Sequence, residues 1–92
     1  MSFSAVHMIV YGRVQGVGFR FFVRENAVKL GIQGWVKNRP DSTVEIHAQA
    51  EKELLLDFIQ IVKNGPLLGR VSEVNIEWVI PDTSFTHFTI TF

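Results

Sequence analysis

The chain has 92 residues, 47% hydrophobic and 20% charged, with nine Lys/Arg against nine Asp/Glu and no cysteine. That length fits one domain with one modest core, and the composition excludes a disordered chain, which would be apolar-poor and charge-rich. The missing cysteine excludes disulfides, thiol catalysis, thiolate zinc sites and cysteine-ligated iron–sulfur clusters. No apolar run approaches the roughly 20 residues of a membrane helix. Met1 to Ala5 carry no basic residue and lead into no signal-like apolar region, so a cytoplasmic setting is expected.

Residues 6–12 are apolar on both parities apart from His7, which predicts a central strand buried on both faces. Arg13-Val14-Gln15-Gly16-Val17-Gly18-Phe19-Arg20 reads as a glycine-rich loop. Residues 20–30 read as a helix, with Phe19, Val23, Ala27 and Leu30 on one face, Lys29 in the last turn and Gly31 as the residue that ends it. Residues 33–38 predict a short strand around Trp35 and Val36. Arg39-Pro40-Asp41-Ser42 predicts a turn, with residue 42 at positive φ. Residues 43–50 alternate, Val44, Ile46, Ala48 and Ala50 against Glu45, His47 and Gln49, as a half-buried strand does.

Residues 51–63 predict the second helix. Its apolar stripe is Leu54/Leu55, Phe58 and Ile61/Val62, with acids at the start and Asn64-Gly65-Pro66 as the stop. Residues 71–80 and 85–92 predict two more strands. The order is strand, helix, strand, strand, helix, strand, plus a C-terminal strand. This split βαβ pattern is that of the ferredoxin-like α+β sandwich, two helices on one face of a mainly antiparallel sheet, spanning 1–92 as a single domain. That architecture hosts many unrelated functions, so function has to come from a site.

Charge points toward one. Six of the nine basic residues (Arg13, Arg20, Arg24, Lys29, Lys37, Arg39) lie before residue 41, with Glu25 as the sole acid there. The remainder holds three basic residues and eight acids. Zero net charge argues against nucleic-acid or anionic-membrane binding. The asymmetry is compatible with one local anion site, and equally with two halves that attract each other. The 13–20 loop leaves a strand and enters a helix, where backbone N–H groups form an anion receptor. Gly16 and Gly18 permit positive φ and close approach of a ligand. Arg20 can add a bidentate grip on phosphate or carboxylate. The loop is neither a Walker loop, lacking Gly-Lys-Ser/Thr, nor a dinucleotide fingerprint, lacking the third glycine.

Gly12 to Arg20, with Gly34-Trp35-Val36-Lys37-Asn38-Arg39-Pro40-Asp41 at matching spacing, resembles the two signatures of the acylphosphatases. Val44-Glu45-Ile46, Gly65-Pro66, Val71-x-x-Val74 and the Phe88-x-Ile90-x-Phe92 ending extend the likeness over the whole chain. The resemblance implies hydrolysis of carboxyl phosphates by a ferredoxin-like domain without metal or other cofactor. It implies that the loop backbone over Gln15, Gly16, Val17, Gly18 and Phe19, together with Arg20, holds the phosphoryl group. It also implies that Asn38 positions the attacking water. Ser42, Gln49-Ala50 and Phe92 depart from the family pattern, which commonly has glycine, an acidic residue followed by glycine, and tyrosine there.

The chemistry is consistent with such a site. The leaving carboxylate is a weak base, with a reference pKa of about 4, so its expulsion needs no strong general acid. Holding the phosphoryl oxygens and aligning a water remain, which is positioning and electrostatics. Asn38, a neutral amide, can orient a water but cannot deprotonate it. His7, His47 and His87 fall on three separate strand candidates without metal-ligand spacing. An RNA-binding module would need aromatics on both central strands, and residues 43–50 have none. The competing reading is a small-anion-binding regulatory module without turnover. The expected partner is a small acyl phosphate, and the expected state a monomer.

Overall fold

The computed structural model describes residues 2–92. The elements are β1 (Phe3–Arg13), α1 (Phe19–Lys29), β2 (Gln33–Asn38), β3 (Val44–Glu51), α2 (Lys52–Asn64), β4 (Arg70–Val79) and β5 (Phe88–Thr91). The sheet order is β4-β1-β3-β2-β5. The β1–β3, β1–β4 and β2–β3 pairs are antiparallel, and β2–β5 is parallel. This is the ferredoxin-like α+β sandwich, extended by β5 at one edge.

Register explains the core. Val6, Met8 and Val10 stand opposite Ala48, Ile46 and Val44, and Val36 stands opposite Ile46. All seven are fully buried. Residues directly opposite each other share a face, so these form the sheet side of the core. The helices supply Phe19, Val23 and Ala27 from α1, and Leu55, Phe58, Ile59 and Val62 from α2. A buried side chain of this kind contributes about 1.5–3 kcal/mol through burial. Asn38 stands opposite Val44. The same alternation therefore places it on the helix side, at the end of β2.

The other sheet face differs from the reading of a strand buried on both sides. His7, Ile9 and Tyr11 are half-buried there, because no helix covers that face. Gln49 was expected among the polar residues of this face, yet it is 1% exposed. Its amide Nε2 donates to the Asp82 carbonyl at 2.6 Å and its Oε1 accepts from the Asp82 N–H at 2.9 Å, strapping the β4–β5 connection over it. In β4, Ile76 and Trp78 remain 37% and 45% exposed. That strand forms the opposite edge and has a neighbour on one side only. The C-terminal strand begins at Phe88 rather than at residue 85, since 85–87 belong to the strapped connection.

The ends of α1 follow local rules. Gly31 takes φ 70°, and Ile32 N–H donates to the Ala27 carbonyl at 2.9 Å, which closes the helix as expected. Among the described residues, no helix is long and apolar enough to cross a membrane.

The β2–β3 turn bears out the reading of residue 42. Ser42 N–H donates to the Arg39 carbonyl at 3.2 Å, and Ser42 itself has φ 74°. A left-handed conformation costs a non-glycine residue roughly 1–2 kcal/mol. Ser42→Gly is therefore expected to raise the thermal midpoint, by up to about 1 kcal/mol of stability, since glycine also loosens the unfolded chain. Michaelis parameters should stay nearly unchanged, because glycine adopts the same left-handed backbone and keeps the N–H bond to the Arg39 carbonyl. Thermal denaturation followed by circular dichroism checks this, and a lowered midpoint would contradict it.

Candidate active site

The loop between β1 and α1 is where the chain departs from both strand and helix geometry. Gly16 and Gly18 have φ 73° and 75°, and a Cβ built on either would meet no atom within 4 Å. Backbone conformation, not crowding, therefore requires glycine here, and the space beside both residues is open. Gly18 precedes α1 without a side-chain cap, and the first helical bond runs from Phe22 N–H to the Gly18 carbonyl at 3.0 Å. The N–H groups of Phe19, Arg20 and Phe21 precede that bond, so the helix leaves them free, and they carry the positive end of its dipole. Phe19 anchors this arrangement, its ring 1% exposed in the core.

A cavity of about 260 Å³ opens at this point, lined by Gly16, Gly18, Arg20, Asn38 and Phe92 among others. The structure thus brings together Arg20 and Asn38, which are 18 positions apart in the chain. The Arg20 guanidinium carbon lies 4.9 Å from the centre of the Phe92 ring. No carboxylate pairs with Arg20 among the described residues. Lys37 and Arg39, by contrast, face Glu45 at 3.8 Å and Asp41 at 3.7 Å. Attraction between the basic and acidic parts of the chain thus accounts for those two residues and leaves the Arg20 charge at the cavity. Asn38 Oδ1 is buried and has no hydrogen-bond partner among the described residues. An unpaired buried acceptor costs about 1–3 kcal/mol, and Asn38 lines the same cavity as Arg20.

Gln15 does not point its side chain there. Its Nε2 donates to the carbonyls of Arg39 at 2.9 Å and Thr43 at 2.8 Å, leaving its backbone N–H as the group available to the loop. This cross-link has no signal in the sequence, because its acceptors are backbone atoms 24 and 28 residues away. Val17 packs partly against the core. Asp41 organises the turn below. Hydrogen bonds from the Thr43 side chain and N–H, aided by the nearby Arg39, hold its carboxyl below the usual aspartate value. A depressed folded-state pKa contributes stability above the unfolded value, and that contribution is lost as pH falls through the folded one.

Two other places were possible sites. A larger depression of about 730 Å³ lies between α1 and β5, with Arg24 and His87 as its ionisable groups. It has no free helix N-terminus and no orphaned polar atom. On the open face, His7 of β1 and His47 of β3 lie on separate strands, as the sequence predicts, and stand directly opposite each other across them. His7 Nε2 lies 2.7 Å from Glu45 Oε2, and His47 Nε2 lies 3.0 Å from Gln49 Oε1. No set of three His, Asp or Glu side chains able to hold a metal occurs among the described residues.

A model of the acylphosphatase family matches residues 6–90. The chain belongs to the acylphosphatase family. It is 46% identical over 82 residues to an acylphosphatase of Koribacter versatilis, covering 89% of this chain and 74% of that protein. The crystal structure of the Bacillus subtilis acylphosphatase superposes with a TM-score of 0.93 at 39% identity, over 97% of this chain and 99% of that one. A structure of HypF from T. kodakarensis also matches, with a TM-score of 0.84 at 31% identity, over 97% of this chain but 12% of that one. As an acylphosphatase, the chain is an enzyme that hydrolyses the carboxyl-phosphate bond of acyl phosphates to carboxylate and inorganic phosphate. The reading as a binding module without turnover is set aside accordingly.

Proposed function

We propose that the 260 Å³ cavity is where this hydrolysis takes place, with Arg20 and the backbone N–H groups of residues 15–20 holding the phosphoryl oxygens and Asn38 orienting the attacking water. The observation that carries the reading is that Arg20, which pairs with no carboxylate among the described residues, and Asn38, whose Oδ1 has no partner among them, line one cavity. One needs a donor and the other an anion, and a water beside a phosphoryl group satisfies both. The Asn38 carbonyl accepts one hydrogen of the water and thereby aims a lone pair of its oxygen at phosphorus. Arg20 and the loop amides neutralise charge on the equatorial phosphoryl oxygens as the bond to the carboxylate breaks. The carboxylate departs without a proton. Asn38 takes up no proton, so the water's proton passes to another acceptor.

The same reading makes the enzyme metal-independent, and we further propose that it is cytoplasmic and monomeric. The metal-independent reading is supported by the donor set, which lacks cysteine and, among the described residues, any converging His/Asp/Glu trio, and by the cationic hold that Arg20 and the amides would supply. Release of inorganic phosphate from a simple aromatic acyl phosphate tests it. Turnover should survive an excess of EDTA unchanged. Loss of activity on chelation, restored by a divalent ion, would overturn the metal-independent mechanism.

A further inference from the structure

Resting on that assignment of Arg20 and Asn38, we infer that Gln15 is a positioning residue that sets the distance between the phosphoryl-holding loop and the water-holding amide. The two halves of the site come from segments separated in the chain by the rest of α1 and by β2 up to its last residue. The phosphoryl half is Gly16 to Arg20, with Gly16 and Gly18 both at positive φ and no side chain of their own to stiffen them. The water half is Asn38, the last residue of β2, followed by the Arg39–Thr43 turn. Gln15 directly precedes the first, and Arg39 directly follows the second. Both hydrogens of the Gln15 amide are used across this gap, at 2.9 Å to the Arg39 carbonyl and 2.8 Å to the Thr43 carbonyl. Arg39 N–H itself donates to the Thr43 carbonyl at 2.9 Å. One side chain thus grips both ends of a closed turn, and the loop inherits the turn's position.

In-line attack makes this spacing kinetically important. A displacement of about 1 Å between nucleophile and electrophile can cost on the order of 10²-fold in rate. Binding of phosphate alone is less demanding, because it uses the loop and Arg20 and not their distance from Asn38. A bridge of this kind should therefore act on turnover and spare phosphate affinity. It should also act through Asn38, so that its loss matters only while Asn38 is present.

A double-mutant cycle with Gln15→Met and Asn38→Ala, scored by kcat and by competitive inhibition with inorganic phosphate, separates these effects. Assays are run well below the melting midpoint of each variant. Gln15→Met alone is expected to lower kcat by about 10–10²-fold while the phosphate inhibition constant stays within about threefold. In the Asn38→Ala background the same change should lower kcat by less than about threefold. A full additive loss in that background, or a single variant that is less stable yet turns over normally, would reduce Gln15 to a structural brace and overturn the inference. Full turnover in Asn38→Ala alone would instead refute the underlying assignment of the water. Should Gln15→Met fail to fold, Gln15→Glu carries the same kcat cycle, since a carboxylate of equal length has no donor for either carbonyl at neutral pH.

Discussion

Replacing Arg20 by alanine is expected to lower kcat/KM by about 10³-fold or more and to weaken competitive inhibition by inorganic phosphate in parallel. The reason is electrostatic. Arg20 shares no ion pair with a carboxylate among the described residues, so its charge is not already neutralised within the protein. Its guanidinium carbon lies 4.9 Å from the centre of the Phe92 ring, and both residues line the cavity. On the proposed assignment Arg20 meets the phosphoryl oxygens in the bound substrate and again in the transition state, so both binding and turnover should fall when it is lost. Arg20→Lys keeps one positive charge but loses the planar pair of donors, and it should recover little of the activity. Full rescue by lysine would mean that charge alone suffices and that the fork has no geometric role. Phosphate inhibition measured beside turnover in both variants decides between these outcomes.

Asn38→Ala should have a different signature. Turnover is expected to fall by about 10²–10³-fold, or roughly 3–4 kcal/mol, the scale seen when one preorganised polar group is removed. Phosphate should still inhibit with near-normal strength, because the loop amides and Arg20 remain. The fold should tolerate the change, since Asn38 Oδ1 has no partner among the described residues and its removal orphans no other group. An alanine variant that loses phosphate binding as severely as Arg20→Ala would make Asn38 a phosphate ligand and not the holder of the water. Comparing the two alanine variants, once each is shown to be folded, therefore tests the division of labour between them.

The departures from the family pattern are informative in physical terms. Ser42 occupies a left-handed position where glycine is common, so a strained residue is retained in the turn that Gln15 grips. Gln49 replaces an acidic residue and has become a buried clamp on Asp82 through two hydrogen bonds. Phe92 stands where tyrosine is common, and its ring, 95% exposed, lies against the guanidinium of Arg20. Ser42 and Gln49 do not line the cavity that carries the proposed chemistry, whereas Phe92 lines it without the hydroxyl that a tyrosine would bring.

Much of this protein was legible in the chain itself, wherever neighbours in sequence decide the outcome. The 3.6-residue spacing of Phe19, Val23 and Ala27 placed α1, Gly31 ended it, and the alternation from Val44 placed β3 with its core face correctly assigned. The bounds of β2 were read without error, and the Pro40-Asp41-Ser42 turn was read down to the sign of φ at residue 42. The strand-to-helix glycine loop singled out Arg20 as a candidate by its own pattern, whereas Asn38 was singled out only through the family resemblance, because an amide at a strand end by itself reads as a turn cap. Tertiary structure alone decided the rest, and in each case the partner lies far away in the chain. The order β4-β1-β3-β2-β5 and the parallel pairing of β5 depend on which edges remain after the first strands have paired. Period-two alternation is blind to that choice, and it likewise gave no warning that Gln49 is buried or that Ile76 and Trp78 stay partly exposed. The amide of Gln15 could be read from sequence as part of an anion loop, but its acceptors are backbone carbonyls across the site. A carbonyl is present at every residue, so composition and spacing carry no record of which one a distant side chain will reach; folding the sheet brings that one within 3 Å.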